Sequence, residues 1–180
     1  MKKLLLHVCC AVCASYPYFM LKDMGYEVII YFYNPNIYPL TEYERRFEEL
    51  KKFCSINNIK LIIEEKEHDY WKNLVKGFEN EPEKGKRCSI CFKERLNNAY
   101  LTAKKEGCEV YTTTLTVSPH KSSTQVFEAA KDVEKQNGSD VEFLEIDFKK
   151  KDGFKKTSKL ADEYGFYRQE YCGCEFSIRN

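Results

Sequence analysis

Short apolar segments alternate along this chain with segments in which apolar residues recur every three or four positions. The apolar segments have the length of buried strands, and they cover residues 4–9, 27–33, 60–64, 110–116 and 141–148. Five strands that alternate with helices indicate an α/β protein. We therefore expect a single doubly wound, largely parallel five-stranded sheet, Rossmann-like, with helices on both faces and right-handed crossovers.

Local signals predict where several of the helices begin. Ser15 and Pro17 are typical of a helix entry, and Thr41 with Glu44 has the capping-box pattern. Asp69 is the predicted cap of a brief helix. Later helices are expected over residues 88–105, from Ser122 or Ser123 onward, and over 154–164.

Composition limits the classes of protein that this chain can be. Its 180 residues, 43% of them hydrophobic, have room for one domain with its own core, so we expect residues 1–180 to form a single domain. The formal charge of +1 gives no global field for a nucleic acid or a membrane. With 32% charged residues we expect no membrane span, and the apolar run after Lys3 is too short for a secretory signal. A cytoplasmic protein without a membrane partner is the prediction.

Nine cysteines are many for a protein of a reducing compartment, and seven of them fall in three clusters. The clusters are Cys9-Cys10-Ala11-Val12-Cys13, Cys88-Ser89-Ile90-Cys91 and Cys172-Gly173-Cys174. Two-residue gaps let both sulfurs of a pair reach one metal centre, and four thiolates suit zinc or an iron–sulfur cluster. The spacing alone does not choose between these two.

Two plainer roles would account for fewer of the cysteines. Free cysteines are often small buried core residues, which we expect for the isolated Cys54 and Cys108. A structural zinc site would use four thiolates and leave three of the seven clustered cysteines without a role. Four ligands together with a separate Cys-x-Cys pair fit redox chemistry better.

Six motifs follow one another in order over nearly the whole chain. They are His7-Val8-Cys9-Cys10-Ala11, Tyr33-Asn34-Pro35-Asn36-Ile37, Arg87-Cys88-Ser89-Ile90-Cys91-Phe92, Thr112-Thr113-Thr114-Leu115 with Ser118-Pro119, Asp147-Phe148-Lys149-Lys150, and Tyr167-Arg168-Gln169-Glu170-Tyr171-Cys172-Gly173-Cys174. Together they resemble the QueH-type epoxyqueuosine reductases. Val12 stands where we expect proline in this family, a departure that removes no candidate ligand.

The resemblance implies an enzyme that reduces the epoxide of epoxyqueuosine at the tRNA wobble position, the last step of queuosine formation. It implies a [4Fe–4S] cluster held by Cys9, Cys10, Cys88 and Cys91. It also implies that Cys172 and Cys174 form a redox-active pair. The expected partners are tRNA carrying epoxyqueuosine in its anticodon loop and an electron donor that the sequence does not identify.

Three further expectations concern the chemistry of the site. A second, mononuclear iron held by the remaining thiolates and a carboxylate is an alternative activator of the epoxide oxygen, and Asp147 is the best candidate carboxylate. Lysines near the second cysteine cluster, with Arg87, and the lysines after Asp147 are candidate phosphate contacts. The rival functions are an ATP-dependent tRNA-thiolating enzyme and a non-enzymatic zinc-binding module, although Cys9-Cys10-Ala11 occupies the place of the phosphate loop that the former needs.

Overall fold

The computed structural model describes residues 1–179, and its centre is a five-stranded parallel sheet. The strands are β1 (Lys3–Val8), β2 (Glu27–Phe32), β3 (Leu61–Ile63), β4 (Val110–Thr113) and β5 (Glu142–Phe143). Their order in the sheet is β3-β2-β1-β4-β5, and every neighbouring pair is parallel. The prediction of a doubly wound, largely parallel five-stranded sheet is confirmed.

Helices connect the strands and cover the sheet. They are α1 (Ala11–Asp23), α2 (Leu40–Ile56), α3 (His68–Leu74), α4 (Lys86–Lys105), α5 (Ser123–Asn137) and α6 (Gly153–Tyr164), with short 3-10 turns at Thr114–Val117 and Glu175–Ser177. Within residues 1–179, none of these helices combines the length and the apolar character that crossing a membrane requires.

Both faces of the sheet are buried. Successive side chains of β1 point to opposite sides of the sheet, and each set packs in a core of its own. Leu4 and Leu6 pack in the core that the sheet shares with α1 and α2. This core also contains Cys54. Leu5 packs in the other core, which is shared with α4 and α5 and contains Cys108. The two isolated cysteines are therefore core residues, as the sequence predicted.

Helix α1 begins at Ala11, so the predicted entry at Ser15 is wrong. The Cys10 sulfur accepts a hydrogen bond from the Cys13 backbone N–H at 3.4 Å and thereby caps the helix. Cysteine is not one of the usual capping residues, which is why the signal was missed. Pro17 lies inside the helix rather than at its first turn.

Two other predicted caps are also wrong. Helix α2 begins at Leu40 after Pro39, so Thr41 and Glu44 lie within the helix and form no capping box. Helix α3 begins at His68, so Asp69 lies in its first turn and does not cap it. In contrast, Ser122 caps α5, where its hydroxyl accepts a hydrogen bond from the Gln125 N–H at 3.3 Å.

The last two strands, β4 and β5, are shorter than the apolar runs predicted. Beyond them, threonine hydroxyls rather than backbone N–H groups bond to the neighbouring segment. The hydroxyl of Thr112 donates to the Leu144 carbonyl, and that of Thr116 donates to the Ile146 carbonyl, both at 2.8 Å. The Phe148 N–H in turn donates to the Thr116 hydroxyl at 3.1 Å. The chain after β5 thus follows the turn after β4 without a ladder of backbone bonds.

Candidate functional site

The three cysteine clusters meet in one cavity at the carboxyl edge of the sheet. The direction of the crossovers reverses between β1 and β4, and open α/β sheets bind ligands at such a point. A cavity of about 270 Å³ opens there, and cysteines of all three clusters line it: Cys9, Cys13, Cys88, Cys91, Cys172 and Cys174. Three clusters that are distant in sequence thus lie around one cavity.

The first cluster already has the geometry of a metal site. The sulfurs of Cys9, Cys10 and Cys13 lie within 4.8 Å of one another, and all three side chains are buried. They lie at the N-terminus of α1, whose dipole favours thiolates. Hydrogen bonding with the Cys10 and Cys13 thiols holds the pKa of Cys9 well below its ordinary value. Three soft sulfur donors at this spacing can bind a thiophilic metal.

The second cluster faces the cavity from the first turns of α4. Cys91 is buried and Cys88 is half-buried. Burial raises the pKa of both thiols, because the thiolate loses its hydration. Their anionic forms therefore need a nearby positive charge, such as that of a bound metal ion.

The third cluster lies in the segment that follows α6. The Cys172 sulfur is 2.9 Å from the Ser177 hydroxyl, and both Cys172 and Cys174 are free thiols. Hydrogen bonding with the Cys174 thiol holds the pKa of Cys172 well below its ordinary value. Of the two sulfurs, that of Cys172 is therefore the more nucleophilic one at neutral pH.

One buried arginine holds this C-terminal segment in place. Arg46 donates to the carbonyls of Tyr171 and Cys172 at 2.8 and 3.0 Å, and its third hydrogen bond, at 2.8 Å, goes to Glu42. The Tyr38 N–H adds a bond to the Gly173 carbonyl at 2.8 Å. Sequence reasoning missed Arg46, because an arginine in an amphipathic helix is ordinarily solvated.

Gln169 connects the third cluster with the first. Its side-chain nitrogen lies 2.9 Å from the Cys10 sulfur and 3.9 Å from that of Cys13. This residue belongs to a motif that the sequence singled out, yet nothing in the pattern distinguished it from its neighbours. The contact assigns it to the cysteine site.

The structure does not bring Asp147 into this site. Among residues 1–179, Asp147 is absent from the lining of the cavity. Its carboxylate accepts a hydrogen bond from the Lys149 N–H at 3.2 Å and pairs with the Lys149 ammonium group at 3.4 Å. The proximity of Asp147 to the end of β5 in sequence does not place it beside the thiols.

Basic residues collect at the mouth of the cavity. Lys84 and Lys121 line it, and Lys149 lies close by, where it donates to the Ser123 hydroxyl at 2.7 Å. Burial lowers the pKa of Lys149, and the nearby charges of Lys121 and Lys84 act in the same direction. Three loops thus bring these lysines together. Lys84 and Lys149 were among the predicted phosphate contacts, and Lys121 was not.

Arg87 was among the predicted phosphate contacts, but the structure gives it a different role. Its side chain is buried, and one guanidinium nitrogen donates to three backbone carbonyls, those of Phe78, Glu79 and Glu81. It therefore holds the loop before α4 and does not extend into solvent.

Two solved structures that have a similar fold are named as proteins of tRNA modification. A predicted subunit of a tRNA methyltransferase from Methanocaldococcus jannaschii superposes with a TM-score of 0.62 at 10% identity, covering 94% of each chain. The U34-tRNA thiolase NcsA from Methanococcus maripaludis, with its [4Fe–4S] cluster, gives 0.63 at 13% identity, covering 99% of this chain and 62% of that one. At these identities the likeness establishes the fold.

Sequence comparison is more specific. This chain is 37% identical over 178 residues to the epoxyqueuosine reductase QueH of Acinetobacter baylyi, covering 99% of this chain and 81% of the relative. It is 35% identical over 183 residues to that of Thermotoga maritima, covering 99% and 91%. The family model for epoxyqueuosine reductase QueH matches residues 4–180. The chain therefore belongs to the epoxyqueuosine reductase QueH family.

Proposed function

We propose that this chain reduces the epoxide of epoxyqueuosine at the tRNA wobble position to an alkene, giving queuosine, and that residues 1–180 form the single domain that does so. The convergence of three cysteine clusters on one cavity carries this proposal. Family membership supports it, because the relatives are named for this reaction. We place the enzyme in the cytoplasm, where tRNA is available and thiols stay reduced.

A [4Fe–4S] cluster held by Cys9, Cys10, Cys88 and Cys91 is the proposed cofactor. The donor set fits such a group, since the clusters supply four thiolates and further thiols lie around them. Two buried N–H groups of residues that line the cavity, Trp71 Nε1 and Arg95 Nε, have no hydrogen-bond partner among residues 1–179, and such donors suit cluster sulfurs. When bound, the cluster supplies electrons one at a time.

The C-terminal dithiol can balance the reaction. Conversion of an epoxide to an alkene breaks two C–O bonds, consumes two electrons and two protons, and releases water. Oxidation of Cys172 and Cys174 to a disulfide releases two electrons and two protons. An external reductant, the electron donor still to be identified, must then restore the dithiol.

A second, mononuclear iron remains the alternative activator of the epoxide oxygen. Cys13 offers a thiol beyond the proposed cluster ligands, and it lies within 4.8 Å of the Cys9 and Cys10 sulfurs. The Lys149 contacts of Asp147 weigh against that carboxylate as a ligand. Iron analysis of the Cys174→Ser protein separates the two routes. If the variant loses both one iron and its turnover, the result favours the second metal over the disulfide.

The mouth of the cavity suits an anionic nucleotide. Lys84 and Lys121 can contact phosphates on either side of the modified base. An anticodon loop presents its bases unpaired, so the wobble base can enter a pocket without opening a duplex.

Anaerobic purification followed by iron, sulfide and turnover measurements tests the proposal. We expect iron–sulfur absorption in the wild type, loss of it in Cys88→Ser, and retention of it without turnover in Cys172→Ser. Cys108→Ser, which changes a buried core cysteine away from the cavity, is the control and should keep both. Stoichiometric zinc without sulfide would favour the zinc-binding module, and turnover that requires ATP would favour the thiolating enzyme.

A further inference from the structure

Arg95 is a buried cation on α4, one turn after Cys91. One of its terminal nitrogens lies 4.0 Å from the Cys91 sulfur, and the other donates to the Asn34 side-chain oxygen at 2.7 Å. Asn34 in turn donates to the Val8 carbonyl at 2.9 Å, immediately before Cys9. The guanidinium group is thus fixed between the first and second cysteine clusters.

Within the described residues 1–179, no carboxylate neutralises this charge. Among residues 1–179, Arg95 forms no ion pair within 4.0 Å, whereas the equally buried Arg46 pairs with Glu42. Arg87, the third buried arginine, is satisfied by three backbone carbonyls. A charge buried without a counter-ion destabilises a fold strongly, so an anion close to Arg95 is needed to offset that cost.

Among the groups that face Arg95, only a cysteine thiolate can supply this negative charge within residues 1–179. The His7 imidazole is fully buried and bonded at both nitrogens, to Thr113 and to the Tyr33 carbonyl. An imidazole bonded in this way carries no negative charge, so it cannot balance the guanidinium group. The Cys91 sulfur, 4.0 Å from a terminal nitrogen of Arg95, can carry the balancing negative charge as a thiolate.

We propose that Arg95 is the counter-ion of the Cys91 thiolate and that it raises the reduction potential of the cluster that Cys91 would hold. This rests on the proposed cofactor and adds a positioning residue to it. Reduction adds a negative charge to a group that already carries four thiolates. A fixed cation in a medium of low dielectric stabilises the reduced state more than the oxidised one.

A potentiometric titration of the anaerobic protein, followed by electron paramagnetic resonance, tests the proposal. Arg95→Gln should lower the equilibrium constant for reduction at least tenfold, which is 59 mV for a one-electron couple. Arg95→Lys, which keeps the charge, should change it less than threefold. Lys93→Gln removes the same charge from a half-buried position two residues away and should leave the potential unchanged.

The outcomes separate this proposal from that of the cofactor. Wild-type protein without iron–sulfur absorption would overturn the cofactor and the role of Arg95 together. A normal cluster in Arg95→Gln at the wild-type potential would overturn the role of Arg95 alone. If Arg95→Gln cannot retain iron, retention by Arg95→Lys supports the counter-ion, and equal loss of iron in both variants contradicts it.

Discussion

Replacement of Gly173 by alanine should release Cys172 and Cys174 from the cavity. Gly173 separates Cys172 from Cys174 and has a φ of +116°, a backbone conformation that residues other than glycine rarely adopt. A Cβ atom there would lie 3.0 Å from both the Arg46 Nη1 nitrogen and the Ile37 Cγ1 carbon. The substitution therefore strains the backbone and also displaces the arginine that holds the segment.

The size of the effect follows from these two contributions. The backbone strain is about 1–3 kcal/mol. Loss of one hydrogen bond from the charged Arg46 adds about 1.5–3 kcal/mol. The two lower values sum to about 2.5 kcal/mol, which is a roughly 60-fold larger open fraction of the segment.

Alkylation of Cys174 measures this opening, since its side chain is only 6% exposed in the closed segment. The single tryptophan, Trp71, stacks on Phe176 with ring centroids 6.1 Å apart and gives an independent fluorescence signal. Gly138→Ala is the control, because Gly138 has a φ of +95° but no atom near the added Cβ. If the Gly173 variant alkylates within threefold of the wild type, the close approach of Arg46 does not hold the segment.

Three further predictions concern residues around the cavity. Arg46→Gln should reduce turnover while the iron content stays at the wild-type level, and full turnover would remove Arg46 from the positioning of the dithiol. Gln169→Leu removes the N–H donor beside Cys10 and should slow turnover with iron retained; an unchanged rate would show that the contact is incidental. Lys121→Glu should weaken tRNA binding and lower its salt-dependence slope by roughly 1, whereas Lys131→Glu on the exposed side of α5 should not; equal slopes would contradict a phosphate contact.

Hydrophobic periodicity predicted the sheet well, because it reports burial directly. The first and last residues of β1, β2 and β3 each lie within one residue of the predicted positions. The runs that contain β4 and β5 were too long, since the apolar pattern does not show that Thr112 and Thr116 bond to the neighbouring segment through their hydroxyls. Helix starts were predicted least well, because Cys10 caps α1 and the pattern at Thr41 forms no cap.

The cysteines of the site were predictable and their supporting residues were not. Clustering in sequence pointed to the thiols, because metal and redox chemistry require several sulfurs at short spacing. Arg46, Arg95 and Gln169 are single residues whose roles depend on contacts with distant parts of the chain. A single sequence carries no signal of that kind, and the same lack of long-range information made Asp147 a candidate ligand.

The topology explains why clusters so far apart in sequence meet. In a parallel α/β sheet the strands end, and the following helices begin, at the same edge. Cys9 and Cys10 follow β1 and the Cys88–Cys91 pair opens α4, so both reach the carboxyl edge by the ordinary geometry of the fold. The segment with Cys172 follows α6 and belongs to no strand among residues 1–179, so the hydrogen bonds from Arg46 and from the Tyr38 N–H hold it there. Variants of Arg46 should therefore release Cys172 and Cys174 from the cavity without unfolding the sheet.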